Sequence, residues 1–269
     1  MNTASPQIQN LIRETCQHYD WASTDFPSYF QNGLNSVFPI VWFGELCSNE
    51  PKVITFGSNP SDKEFLSKGS TPCSPLRFPK IPTTVITVYN NPYIPNLTDD
   101  YNSYFHNNPY NKWFDPIQSL PKAYFGVGKD NCIHLDALPF ATSVKFTNLK
   151  NILSTIPSLH YNCFDDVLYW GRDFSRRLMA EIVLNDNIMG ISVVGKTCTK
   201  EFLSTFNHFI NNYKTGIYNY GNSSSCIWKC ELHISGRTIE VIGTNIYLPY
   251  PLGFRMSYLP HLVAAIKKL

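Results

Sequence analysis

The sequence predicts an α/β protein, a three-layer α/β/α sandwich around a central, mainly parallel four-stranded sheet. Short β-branched and aromatic runs (Val53–Phe56, Cys132–Leu135, Ile191–Val194) alternate with longer segments of helical spacing. That alternation is how crossover helices come to cover both faces of a parallel sheet. No linker or internal repeat divides the 269 residues, so a single domain over 1–269 is expected, with N-terminal helices in 1–50 and the core in 51–269.

The elements follow in order. Gln7 to Trp21 is an amphipathic helix, because Ile8, Leu11, Ile12, Cys16 and Tyr19 share one face after a Ser5-Pro6 start. Val41 to Leu46 reads as a second, short helix. Val53–Phe56 is the first strand, and Gly57 stops it. Residues 58–82 are rich in Ser, Pro, Lys and Gly and read as loop with one helical turn. Thr84–Tyr89 is a β-rich run and reads as the second strand. Residues 90–112 hold many Asn, Pro and Tyr and read as a long irregular excursion, which in a compact domain usually signals function. Trp113 to Tyr124 is helical, and the strand Cys132–Leu135 leads into the turn Asp136-Ala137-Leu138-Pro139. Helices are then expected at Leu149–Ile156, Phe164–Asn185 and Thr199–Asn211, with strands at Ile191–Val194, Cys226–Ile234 and Thr238–Ile242. The last helix, Tyr258 to Leu269, carries Lys267 and Lys268 where the helix dipole favours them.

Composition narrows the class. Hydrophobic content of 43% and a formal net charge of +2 describe an ordinary soluble protein, and any nucleic-acid affinity must come from a local patch. The 16 Tyr and 18 Phe suit stacking on flat ligands and aromatic cores alike. Of eight cysteines only Cys226 and Cys230 lie close together, so no zinc or iron–sulfur set is complete and no metal or cofactor is expected. With no signal-peptide pattern and no apolar run long enough for a bilayer, a cytoplasmic protein with reduced thiols is expected.

Gly190-Ile191-Ser192-Val193-Val194-Gly195-Lys196-Thr197 matches the letters of a phosphate-binding loop. That loop must follow a strand, whereas here Ile-Ser-Val-Val is itself the strand, so nucleotide hydrolysis is not expected.

The stretch Val53 to Asp62 points most directly to a site. Ligands of open α/β sheets sit beyond the carboxyl ends of the strands, where Asn59 would project from a turn stiffened by Pro60. Three segments in this order resemble the uracil-DNA glycosylase superfamily: Gly57-Ser58-Asn59-Pro60-Ser61, Ile133-His134-Leu135-Asp136-Ala137-Leu138-Pro139, and Leu248-Pro249-Tyr250-Pro251-Leu252. The resemblance runs from about residue 53 to the end, and its weight lies in the order of the motifs, since each alone is short. It implies a monofunctional enzyme that flips a nucleotide into a pocket and hydrolyses its N-glycosidic bond. On this resemblance Asn59 positions the attacking water, and Asp136 stands where the family reads the base with an Asn. Ser58, Ser61 and His134 line the base, and Phe78 stacks on it. Leu252 fills the gap left in the duplex, with Phe254 and Arg255 beside it on the DNA.

The departures from the pattern set the expected specificity. An ionised Asp136 only accepts hydrogen bonds, so it repels uracil O4 and welcomes the exocyclic amine of cytosine. Ser61 stands where strict uracil enzymes place a Tyr that blocks substituents at C5. Together these resemble the anti-phage branch that excises glucosylated hydroxymethylcytosine, with the tyrosines of 90–112 (Tyr93, Tyr101, Tyr104, Tyr110), His106 and Trp113 set to touch a sugar. The His of the third motif is replaced by Leu248, so charge on the departing base must be met elsewhere, by backbone amides after Gly57 or by Asp136. Two other readings stand beside this one: a catalytically silent DNA- or base-binding member of the fold, and a uracil or mismatch repair glycosylase. A monomer acting on phage or damaged DNA is expected.

Overall fold

The computed structural model describes residues 4–25, 39–67, 71–80, 94–142, 146, 164–249 and 253–269. Six α-helices and six strands alternate over these residues: α1 (Pro6–Asp25), β1 (Lys52–Gly57), α2 (Ile94–Asn102), α3 (Asn111–Phe125), β2 (Cys132–Asp136), α4 (Phe164–Asn185), β3 (Ile188–Val194), α5 (Lys196–Phe206), β4 (Ile210–Tyr220), β5 (Ser223–Ile234), β6 (Arg237–Thr244) and α6 (Leu259–Lys267).

The strands form one mixed sheet in the order β2-β1-β3-β6-β5-β4. β2, β1, β3 and β6 are parallel, and β5 and β4 continue the sheet antiparallel from β6. The expected four strands are therefore six. β5 and β6 contain the expected strands Cys226–Ile234 and Thr238–Ile242, so β4 is the strand that the sequence does not predict; Asn211–Thr215 of β4 are exposed on both faces and lack the alternating apolar signature of a half-buried strand. The last β5–β6 pair is Ile227 with Thr244, which leaves Ser223–Cys226 and their β4 partners running past the end of β6.

β1, β2 and most of β3 are buried throughout, as parallel strands covered on both faces must be. Alternation along the pleat shows which helix covers which face. On one face α3 and α6 pack together, and the Phe114 ring of α3 lies 5.2 Å from His134. On the other face Phe202 of α5 meets Phe56 edge-on at 5.3 Å, with α4 packed beside α5 and α1 against α4. Gly190 is bare where the Phe125 ring of α3 presses on β3, and a Cβ there would overlap that ring. The first five letters of the phosphate-binding loop, Gly190–Val194, thus fall inside β3, and Gly195-Lys196-Thr197 turn directly into α5.

Several expectations need correction. Val41–Leu46 is extended, not helical: Phe43 exchanges two backbone hydrogen bonds with His134 (3.0 and 2.9 Å) and extends the sheet beyond β2 as an antiparallel bridge. The 90–112 stretch is not wholly irregular, since α2 buries Ile94, Leu97, Thr98 and Tyr101 at helical spacing. The helix expected at Thr199–Asn211 ends at Phe206 and passes through a short 3₁₀ turn into β4. The expected strand Thr84–Tyr89 and helix Leu149–Ile156 lie outside the described residues.

At the far end of β1 from the site, Lys52 and Asp186 form a buried ion pair, with Nζ 2.7 Å from Oδ1. The Cys47 amide also donates to that oxygen, at 2.8 Å. The described cysteines are free thiols. Among the described residues no helix is long and apolar enough to cross a membrane.

Candidate active site

The carboxyl ends of β1 and β2 come together because the strands are parallel and in register, with Thr55 beside His134 and Gly57 beside Asp136. The two following loops are then stitched to each other. Ala137 N donates to Gly57 O (3.1 Å), Leu138 N to Ser58 O (3.0 Å), and Asp62 N to Thr142 O (3.1 Å). Asn59 completes the seam: its Nδ2 donates to Pro60 O at 2.9 Å, Phe140 O at 3.2 Å and Thr142 Oγ1 at 2.9 Å. Three acceptors around one nitrogen fix the orientation of the amide, because a flipped oxygen would face two carbonyls. Oδ1 takes no hydrogen bond among the described residues, and Asn59 is half-buried.

Asp136 is buried, its side chain 3% exposed. Its Oδ1 lies 3.5 Å from His134 Nε2, long for a hydrogen bond. Thr55 Oγ1 is 2.8 Å from the other ring nitrogen of His134, Nδ1. Ser175 of α4 donates to the Asp136 and Ala137 carbonyls at 3.2 and 3.3 Å and fixes the turn from the opposite face. Asp136 Oδ2 is buried with no partner among the described residues. A buried carboxylate oxygen without a donor is costly. Gly57 permits the arrangement, since a Cβ there would overlap Asp136 Oδ1 and come within 2.9 Å of His134 Nε2.

Behind His134 lies an aromatic cluster. The Phe43 and Phe114 rings are 5.5 and 5.2 Å from the imidazole, and Tyr104 meets those two rings edge-on at 4.7 and 5.3 Å. Phe78, expected to stack on a base, is 5% exposed and stacks on Tyr104 at 5.2 Å, inside the ring cluster. Tyr104 donates its hydroxyl hydrogen to Glu64 Oε2 and accepts from Tyr110 N at 2.9 Å. Glu64 is 3% exposed. Burial raises its carboxyl to about 7; the Tyr104 hydroxyl and Arg77 oppose the rise, and the Asp136 charge adds to it.

The remaining expected residues divide. Ser58 is half-buried beside Cys198, whose thiol burial holds at about 12, too high for a nucleophile. Ser61 caps the 3₁₀ turn Asp62–Glu64, accepting from Lys63 N at 3.3 Å. Phe254 does not face outward: it is 4% exposed and packs on Tyr220 and Tyr258. Arg255 is exposed, and Leu252 lies outside the described residues. Leu248 is buried in the core. Tyr101 and Tyr104 are buried too, the former donating to Pro39 O at 2.6 Å, so neither presents itself to a sugar. Tyr93 lies outside the described residues, His106 is exposed, and Tyr110 and Trp113 are half-buried.

The sequence reading missed Thr55 and Glu64. Asp62-Lys63-Glu64 has the composition of a solvated turn, and only the phase of the 3₁₀ turn sends Glu64 inward. Among the described residues no group of three or more His, Cys, Asp or Glu is placed to hold a metal. Comparison of the chain with protein-family models, with curated proteins and with solved structures finds no match.

Proposed function

We propose that the chain is a DNA glycosylase of the uracil-DNA glycosylase type, hydrolysing the N-glycosidic bond of a pyrimidine flipped out of the stack. A C5-modified cytosine is the substrate proposed, and the product is an abasic site. The observation that carries the reading is the buried, unpartnered Oδ2 of Asp136, held at the carboxyl edge against the Asn59 loop. An acceptor there suits the exocyclic amine of cytosine and disfavours uracil O4. Asn59 has spent its Nδ2 on the loop seam, so its role is to orient water through Oδ1. His134, backed by Thr55, steadies Asp136. Ser61 leaves room at C5. Arg255 and Leu252 are the proposed contacts to phosphate and to the gap in the duplex. The protein acts as a cytoplasmic monomer on phage or damaged DNA.

One observation favours a second reading, a base-binding module without turnover: the third motif offers buried Leu248 in place of a His that would stabilise the departing base. Oligonucleotides carrying cytosine, uracil, hydroxymethylcytosine or its glucosylated form, incubated with the protein and then treated with alkali, separate the two. The glycosylase reading expects strand cleavage at a cytosine-type base, and Asp136→Asn moves the preference towards uracil. Binding with no cleavage of any substrate refutes it and leaves the silent module.

A further inference from the structure

We propose that Glu64 is the general acid of this site, giving up the proton that the base takes as its bond to the sugar breaks. The inference rests on the glycosylase reading and supplies the help that Leu248 cannot.

Glu64 closes the 3₁₀ turn that begins three residues after Asn59, and its side chain turns into the protein. The Tyr104 hydroxyl accepts from Tyr110 N and has one hydrogen, which goes to Glu64 Oε2. Oε2 is thereby fixed as an acceptor, and Oε1 is left to carry the acid proton. Tyr104 belongs to the ring cluster that flanks His134, so Glu64 and Asp136 stand at two ends of one aromatic wall. The groups acting on Glu64 are Tyr104 beyond α2, Arg77 from the 71–80 segment and Asp136 at the end of β2. Arg77 is held in turn, donating to Lys63 O at 3.2 Å and to Asn108 O at 2.6 Å.

Two carboxyls in unlike surroundings divide acid and acceptor roles. Burial holds the Glu64 proton up to about 7, so at neutral pH a large share of the chain carries it. In the step, water oxygen bonds to the sugar C1′ and the C1′–N bond breaks. Its electron pair goes to the base ring, and the Oε1 proton neutralises the base. The proton shed by the attacking water restores Glu64, so the balance is sugar–base plus water to sugar–hydroxyl plus protonated base.

The test is single-turnover excision by wild type, Glu64→Gln and Tyr104→Phe across about pH 5.5 to 9, with substrates whose bases differ in leaving ability. The wild-type rate falls about tenfold per pH unit above about 7, and Glu64→Gln loses on the order of a hundredfold or more together with that limb. The loss shrinks for the better leaving base, which a merely structural defect would not do. Tyr104→Phe removes the bond that opposes the rise, so its limb moves to higher pH. An active wild type whose rate and limb survive Glu64→Gln overturns the role of Glu64 alone. A wild type that excises nothing overturns the glycosylase reading and this inference with it.

Discussion

Glu64 makes a measurable claim about stability that does not depend on any activity. Burial raises its carboxyl from the ordinary 4.5 to about 7, so between these values the folded chain keeps a proton that the unfolded chain has released. Stability therefore falls as pH rises through the window. Below it both states are protonated, above it neither is, and the contribution is flat on either side. Each pH unit inside the window costs about 1.4 kcal/mol, so the loss accumulated from about pH 4.5 to about pH 8 comes to roughly 3 kcal/mol. Glutamine keeps the shape and cannot ionise. Urea unfolding of wild type and Glu64→Gln at a series of pH values should show their stability difference shifting in favour of the variant by that amount, with unchanged m-values. Ionisable groups that do not feel Glu64 contribute equally in both proteins and cancel. A difference constant across the range would refute both the burial of the charge and the proton placed on Glu64.

Two other substitutions test the frame around the site. Asn59→Ala removes three hydrogen bonds from the loop seam and should cost about 1–3 kcal/mol, while Asn59→Asp, which turns an oxygen towards the Pro60 and Phe140 carbonyls, should cost more. Melting temperatures in the reverse order would show the amide to be oriented the other way. Lys52→Met leaves buried Asp186 with the Cys47 amide as its remaining partner on Oδ1 and should cost about 3–5 kcal/mol in denaturant unfolding. A loss under about 1 kcal/mol would mean that Asp186 takes up a proton at little cost.

Elements with a strong period were legible in the sequence. The apolar spacing of Phe164–Asn185 returned both of its bounds, and the β-branched runs at 53–56, 132–135 and 191–194 returned three parallel strands. The strand at the edge was not legible. Ile210–Tyr220 mixes Asn, Lys, Gly and Tyr, with Asn211–Thr215 exposed throughout and beyond them only Gly216, Tyr218 and Tyr220 half-buried on one face, so the apolar alternation is too short to read. Val41–Leu46 misled for the opposite reason: with every residue but Glu45 buried the run has no clear period, and only the partner His134 makes it extended. At the site, Gly57, Asn59 and Asp136 could be placed by position after a strand. Phe78 and Phe254 could not, since a ring in a loop looks the same whether it faces ligand or core. Glu64 lay beyond reach because its inward turn depends on Tyr104, forty residues downstream, to meet it.

The hairpin that runs past β6 is propped along its length: its outer four rungs pair with each other, Asn245 N donates to Cys226 O (2.9 Å), the Tyr218 hydroxyl donates to Tyr258 O (3.2 Å), and Tyr220 packs on Phe254. The tip therefore serves as a brace for the Phe254–Tyr258 segment that leads into α6, and losing its last rungs would release that segment while the parallel strands that present Asn59 and Asp136 kept their register.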